Sequence, residues 1–267
     1  MAFGRHVFRA GALTLGALLL TACGSSGDTG SAPSNAPAGG EGPTVVAATS
    51  WEGAFAKAAG ASKVTVIVPP SIKHAPDYDP KPSDLAAVAS AQYLLYAPFE
   101  GFAGKLKEAA GSTAKPVELN LDNAKDNVEK EVRRLAGMFG TQAAAEKWIT
   151  GFQQEYDRLS ADVKKAWPGG KQPQVIEQAF VRFAAQLSGS TVLATFGPEP
   201  VTASKLAELS AKNPQYVFDN EAMTTGTVLP GTPAKQVNVV NFPGEDLDLL
   251  PVYRNNAKLL TDAFAGA

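Results

Sequence analysis

Four side chains stand where a strand gives way to a loop, and their types would suit a divalent metal ion. His74 follows the strand Lys63 to Val68 in a Pro-flanked loop, and Glu100 follows the strand Gln92 to Tyr96 across Ala97-Pro98-Phe99. Glu177 ends the apolar strand Gln174 to Glu177, and Asp219 follows Tyr216-Val217-Phe218. A neutral imidazole is a common ligand for Zn, Mn and Fe. A carboxylate at the end of an apolar strand is expensive to bury without a cation or a donor. Ordinary alternatives stand beside each: a solvated or capping His74, a Glu177–Arg182 salt bridge, and a Glu100 that simply starts its helix favourably. One nitrogen with two or three carboxylates is a harder set than three imidazoles and would suit Mn²⁺ or Fe²⁺ at least as well as Zn²⁺. Asp77 and Asp79 share the His74 loop, with Asp77 within reach of the same space.

The parts that other chemistries need are missing. The chain has one cysteine, Cys23, and after it a single histidine, His74. It contains no G-x-S-x-G, phosphate loop or H-E-x-x-H, so Ser-His, Cys-His and two-histidine zinc catalysis lack their residues. Nothing marks a pair of carboxylates for acid–base work. The expectation is a binding protein and not an enzyme. A formal charge of −2 with both signs interspersed gives no reason to expect nucleic acid or an anionic membrane surface as partner.

The N-terminal segment carries an address. Arg5 and Arg9 precede the uncharged run Ala10 to Leu20, too short for a membrane span of roughly 20 apolar residues and suited to a secretory signal. It ends in Leu20-Thr21-Ala22-Cys23, which looks like a bacterial lipobox, so Cys23 is expected to be the lipidated new N-terminus on the outer face of the cell membrane. With no second cysteine, no intramolecular disulfide forms. The stretch Gly24 to Pro43 is nearly pure Gly, Ser, Ala, Pro and Asn, a flexible leash with a reach of order 25 Å.

The elements that must position the candidate ligands alternate between strand and helix, which predicts largely parallel sheets covered by helices. Strands are expected at Thr44 to Ala48, Lys63 to Val68, Gln92 to Tyr96 and Val117 to Leu121, with helices from Trp51, from a Ser83 cap and from Phe99. Val128, Val132, Leu135 and Phe139 then form one apolar helical stripe. After Gly140, with Thr141 as N-cap, Trp148, Phe152, Tyr156, Leu159 and Val163 form a second, which Pro168-Gly169-Gly170 stops. From Thr141 to Ala166 that helix would be roughly 39 Å long, enough to span the side of a two-lobed protein. Alternation restarts with Gln174 to Glu177, a helix from Ala179, and further strands at Thr191 to Phe196, Tyr216 to Phe218 and Gln236 to Phe242 before a closing helix from Leu247. The predicted fold class is therefore α/β, two βα lobes joined by one long rigid helix. The predicted segments are 1–22 signal peptide, 23–43 lipidated cysteine and linker, 44–140 first lobe, 141–167 linking helix and 168–267 second lobe.

The segment from Pro69 to Asp84, PPSIKHAPDYDPKPSD, resembles the PPG-x-x-P-H-x-Y-E-P-x-P-S-D stretch of the zinc/manganese-type solute-binding lipoproteins of ABC transporters, the TroA-like helical-backbone receptors. VIEQAFVRFAAQLSG, starting at Val175, is similar to that family's V-T-H-x-A-F-x-Y-F-A. The resemblance covers essentially all of Thr44 to Ala267. It implies ligand held in the cleft between two lobes, where open α/β sheets bind at the carboxyl ends of strands. It further implies a divalent transition metal (Mn, Zn or Fe) as transported ligand, an ABC permease in the membrane as partner, and a monomer. Family members bring three histidines and one carboxylate. Here the first histidine corresponds to His74, with one extra residue before Tyr78. The second has no counterpart in Val117 to Leu121, the third falls on Glu177, and the late carboxylate falls on Asp219 or Asn220. A ligand set so altered also fits a chelated metal or small organic molecule in a cleft lined by Trp51, Phe99 and Phe180.

Overall fold

A computed structural model describes residues 42–69, 72, 75–224 and 226–266. The expected signal peptide, Cys23, all of the leash but its last two residues, and His74 lie outside the described residues. No helix among the described residues is long and apolar enough to cross a membrane.

The first lobe is a four-stranded parallel sheet of β1 (Thr44–Ala47), β2 (Lys63–Val66), β3 (Tyr93–Tyr96) and β4 (Lys115–Glu118), in the order β2-β1-β3-β4. Helices α1 (Ser50–Ala58), α2 (Pro82–Ala89) and α3 (Ala103–Ala110) belong to it. After α4 (Lys125–Phe139) and α5 (Gln142–Lys165) comes the second sheet, again parallel. It consists of β5 (Gln174–Gln178), β6 (Thr191–Phe196), β7 (Tyr216–Asn220) and β8 (Lys235–Val239) in the order β6-β5-β7-β8. Helices α6 (Arg182–Ser188), α7 (Ala203–Ala211) and α8 (Leu250–Ala265) complete that lobe. Both sheets run second-first-third-fourth, so each has its topological switch between its first and third strands. There the crossovers leave in opposite directions and open a crevice at the strand ends.

The long helix is α5, 24 residues and about 36 Å at 1.5 Å per residue. Gly140, left-handed with φ 75°, ends α4 as a glycine C-cap does and turns the chain back so that α5 runs against α4. The buried stripe Ile149, Phe152, Tyr156, Leu159, Val163 packs on α4, α6 and α8. Tyr253 of α8 meets Phe152, Tyr156 and Phe183 with ring centroids 5.1, 5.7 and 5.8 Å apart. One apolar core therefore runs from Phe55 and Leu95 of the first lobe through α4 and α5 to Phe183 and Phe264 of the second. Each sheet has its own smaller core besides.

Several helix starts differ from the sequence expectation, each for a local reason. The helix expected from Phe99 begins at Ala103, because the Glu100 carboxylate turns back to accept the Ala97 N–H at 3.0 Å and its carbonyl accepts the Ala103 N–H. The helix expected from Ala179 begins at Arg182, because the Gln178 side chain takes the Phe180 N–H at 2.6 Å and its carbonyl takes that of Val181. Ser83 is not a cap: Pro82 occupies the first turn, where its missing N–H costs nothing, and Asp84 accepts the Lys81 N–H at 2.8 Å. Thr141 is at the N-cap position of α5 but donates its hydroxyl to the Ala59 carbonyl at the end of α1.

Between the lobes sits a buried polar node. Asn123, fully buried in the loop before α4, accepts a hydrogen bond from the Trp51 indole at 2.9 Å. It donates to the Asn241 carbonyl beyond β8, also at 2.9 Å, while its own carbonyl accepts from the Tyr253 hydroxyl at 2.8 Å. Ser50 donates to the Pro243 carbonyl at 2.9 Å, and the Trp51 and Phe242 rings lie 4.8 Å apart. Removing the Asn123 side chain would strand a buried indole N–H and a buried carbonyl, at roughly 1–3 kcal/mol each. Asn123→Ala is therefore expected to lower unfolding stability by about 2–6 kcal/mol, measured by urea denaturation. A loss below about 1 kcal/mol would mean that the node does not hold the lobes.

Candidate functional site

An interlobe pocket of about 280 Å³ lies where the carboxyl ends of the strands face one another. The first lobe contributes Thr49 after β1, Phe99 and Glu100 after β3, Leu121 after β4, and Trp51 from α1. The second contributes Phe180 after β5, Pro198 after β6, Asn220 at the end of β7, and Asn241 and Phe242 after β8, together with Met223. Phe99 and Phe180, one from each lobe, approach to 6.0 Å between ring centroids. Both sit in loops because of the delayed starts of α3 and α6. The expected lining of Trp51, Phe99 and Phe180 is present, and the walls are overwhelmingly apolar.

Few polar atoms face this space. Glu100 is 3% exposed, and its Oε1 has no hydrogen-bond partner. Asn241 is 2% exposed, and its Oδ1 likewise has none. Asn220 is already engaged, accepting the Ala222 N–H at 3.0 Å. Glu100 is also not alone. Glu52, fully buried on α1, closes a capping box with Thr49 by accepting its N–H at 2.9 Å and its hydroxyl, and it comes within hydrogen-bonding reach of Glu100. Burial first, and then the Glu52 charge, push Glu100 up to about 9. Burial raises Glu52 as well. Two carboxyls in so dry a place hold a proton at neutral pH. No pair of this kind was marked by the sequence; the signal that would have found Glu52 is its position three residues after Thr49, the S/T-x-x-E pattern of a helix start.

The three candidate ligands among the described residues do not line one common space. Glu100 lines the interlobe pocket, whereas Glu177 lines a polar recess of about 650 Å³ with Asn120, Asp122, Arg182 and Gln186. There its Oε2 has no partner, Thr195 donates to its Oε1 at 3.5 Å, and burial, opposed by Arg182, pushes it up to about 7. Arg182 reaches Asp122 instead, at 3.5 Å. Asp219 is held by its neighbours: its Oδ1 accepts the Asn220 N–H at 2.9 Å and its Oδ2 accepts from Gln236 at 3.3 Å. Successive residues of a strand face opposite ways, so Asn220, not Asp219, lines the pocket. His74 is outside the described residues, though the next residue, Ala75, lines the pocket. Among the described residues, no three His, Cys, Asp or Glu side chains form a group that could hold a metal ion.

The loop resembling the metal-receptor motif has a structural use for its polar residues. Tyr78 donates to Asp84 at 2.9 Å, Asp84 caps α2 as described, and Asp79 pairs with Lys105 at 2.6 Å on the surface. Asp77 is exposed in a short 3₁₀ turn, Ala75–Asp77.

No protein-family model matches the chain, and no curated protein matches it in sequence. Solved structures share its fold. The solute-binding protein FpvC of Pseudomonas aeruginosa, in complex with Mn²⁺, has a TM-score of 0.62 at 14% identity over 84% of this chain and 97% of its own. The AdcAII protein of Streptococcus pneumoniae has a TM-score of 0.59 at 15% identity, over 84% of this chain and 99% of its own. Zn(II)-bound AdcA from Streptococcus pneumoniae has a TM-score of 0.58 at 16% identity, over 85% of this chain. The chain spans only 58% of AdcA's length. The likeness establishes the two-lobe fold of these solute-binding proteins, in agreement with the fold class expected from the sequence.

The buried carboxyls set a pH dependence. Glu100 holds its proton to about 9 when folded, against an ordinary 4.5 when unfolded. Between those values the native state binds more protons, so stability falls as pH rises through the window. Glu177 adds the same sign from 4.5 up to about 7. The melting temperature is expected to decline from pH 5 to pH 9, and Glu100→Gln, which keeps the shape without the charge, to flatten that decline. A wild-type melting temperature that rises across the range would contradict the protonated pair.

Proposed function

We propose that this chain is the extracytoplasmic receptor of an ABC importer, which takes up a divalent transition metal (Mn, Zn or Fe) between its lobes and delivers it to a membrane permease. Cys23, lipidated, would hold it at the outer face of the cell membrane, with the Gly/Ser/Pro leash giving a monomeric receptor room to reach the permease. The observation that carries the reading is a set of buried oxygen atoms on residues lining one pocket at the strand ends, the Glu100 carboxyl beside Glu52 and the donorless Asn241 Oδ1. Such atoms call for a cation or a hydrogen-bond donor. The solved structures of the same fold are described with Zn(II), Mn²⁺ or Ni²⁺ bound, which supports a metal as cargo. His74 is the imidazole the sequence offers to this pocket, through its neighbour Ala75. Oxygen-rich ligation would favour Mn²⁺ or Fe²⁺ at least as much as Zn²⁺. Glu177 and Asp219 remain outside this reading of the pocket, because Glu177 lines the separate polar recess and Asp219 is bonded to the Asn220 N–H and to Gln236. A receptor for a chelated metal or small organic ligand is the second reading, favoured by the apolar walls.

Metal analysis of the purified protein is expected to give one divalent ion per chain, lost in His74→Ala and in Glu100→Gln. With Glu100 protonated up to about 9, an ion that it ligates must displace a proton. Metal affinity should therefore rise about tenfold per pH unit on approach to pH 9, as read by calorimetric titration at several pH values. Purified protein without metal, together with no thermal shift on adding Mn²⁺, Zn²⁺ or Fe²⁺, would sink the reading.

A further inference from the structure

Among the described residues, the interlobe pocket offers few ligand atoms for an ion, and its walls are mostly apolar. A divalent transition metal takes about four to six ligands. Of the polar side chains facing the pocket, Thr49 is spent on Glu52 and on the Trp51 N–H, and Asn220 on Ala222. What remains among the described residues is Asn241 Oδ1 and the Glu100 carboxyl, itself beside Glu52. Water molecules could fill the other positions only if they had polar partners of their own, about three each, and the surrounding Trp51, Phe99, Leu121, Phe180 and Phe242 provide almost none.

We infer that the cargo is a metal ion carried in a small, flat organic chelator, which brings the missing ligand atoms and lays its apolar faces against the aromatic walls. The inference rests on the metal reading above and names the form in which the metal arrives. Three further features fit it. At about 280 Å³ the pocket is near the lower end of small-molecule sites, roughly 300 Å³ upward, large for an ion and right for one compact ring system. Its aromatic side chains come from both lobes, so a planar ligand would touch Phe99 and Phe180 together. On the far side of the same residues lies a recess of about 570 Å³ that shares Trp51, Phe99, Leu121 and Phe180 as its wall. Phe99, 48% exposed, is free enough at its outer edge to yield to an organic molecule passing between the two spaces.

The test is calorimetric titration of the full-length protein with three probes: Zn²⁺ alone, 1,10-phenanthroline alone, and their equimolar complex. The complex is expected to bind at least tenfold more tightly than Zn²⁺. Phe99→Ala and the milder Phe180→Leu are expected to weaken the complex at least tenfold more than they weaken the ion, which also reports that the variants are folded. If Zn²⁺ alone binds as tightly as the complex and the aromatic substitutions affect both equally, the cargo is a bare ion; this inference falls while the metal reading stands. If phenanthroline without metal binds as tightly as the complex, the pocket takes an organic molecule, and the inference and the metal reading fall together. If none of the three binds, both fall as well.

Discussion

The cleft depends on one buried amide. Asn123 ties the Trp51 indole of the first lobe to the Asn241 carbonyl of the second, with Tyr253 of α8 bonded to its own carbonyl. Burying an amide this completely is unfavourable unless its polar groups are paired, and here three elements far apart in sequence pair them at once. The strand ends of the two sheets are thereby fixed opposite each other, and the pocket is the space that remains. The continuous core through α4, α5 and α8 supports the same arrangement from behind. Swinging the lobes apart would break buried hydrogen bonds and the Trp51–Phe242 contact together, so access to the pocket falls to loop side chains such as Phe99.

Much of this architecture was legible in the sequence because it follows from periodicity. The stripes Val128-Val132-Leu135-Phe139 and Phe152-Tyr156-Leu159-Val163 are buried as their spacing predicts, and strand-helix alternation gave two parallel sheets. The helix starts were not legible where a side chain competes with the backbone for its own N–H groups. Glu100 and Gln178 both do this, and each delay turns residues that periodicity assigns to a helix into pocket wall. Period and propensity describe repeating backbone; they say little about a single carboxylate or amide folding back on its own turn.

The site was less legible than the fold, for a reason of register. Where ligands sit at the ends of strands, a shift of one residue reverses the face a side chain presents. Tyr216-Val217-Phe218 located the strand, but not that Asn220 would meet the pocket while Asp219 stayed bonded to Gln236 and the Asn220 N–H. The same ambiguity affects Glu177, whose recess is lined by Asp122 and Arg182. Glu52 escaped for a different reason: it lies in a mostly apolar helix, and only its Thr49 partner three residues earlier betrays that it turns inward. Its presence beside Glu100 changes the chemistry of the pocket. A lone carboxylate exposed to water would stay ionised at neutral pH, whereas two buried side by side hold a proton between them.

The loop that carries the family resemblance shows why fold and ligand set can part company. Tyr78 reaches Asp84, Asp84 takes the Lys81 N–H, and Pro82 opens α2. Tyr78, Pro82 and Asp84 belong to the stretch that resembles metal receptors, and they stabilise the turn into a helix. That role does not depend on which ligand the cleft holds, because none of them lines the pocket. The two-lobe fold is thus shared with structural neighbours at 14–16% identity, while the pocket of this chain is walled by Trp51, Phe99, Phe180 and Phe242, with Glu100 beside Glu52.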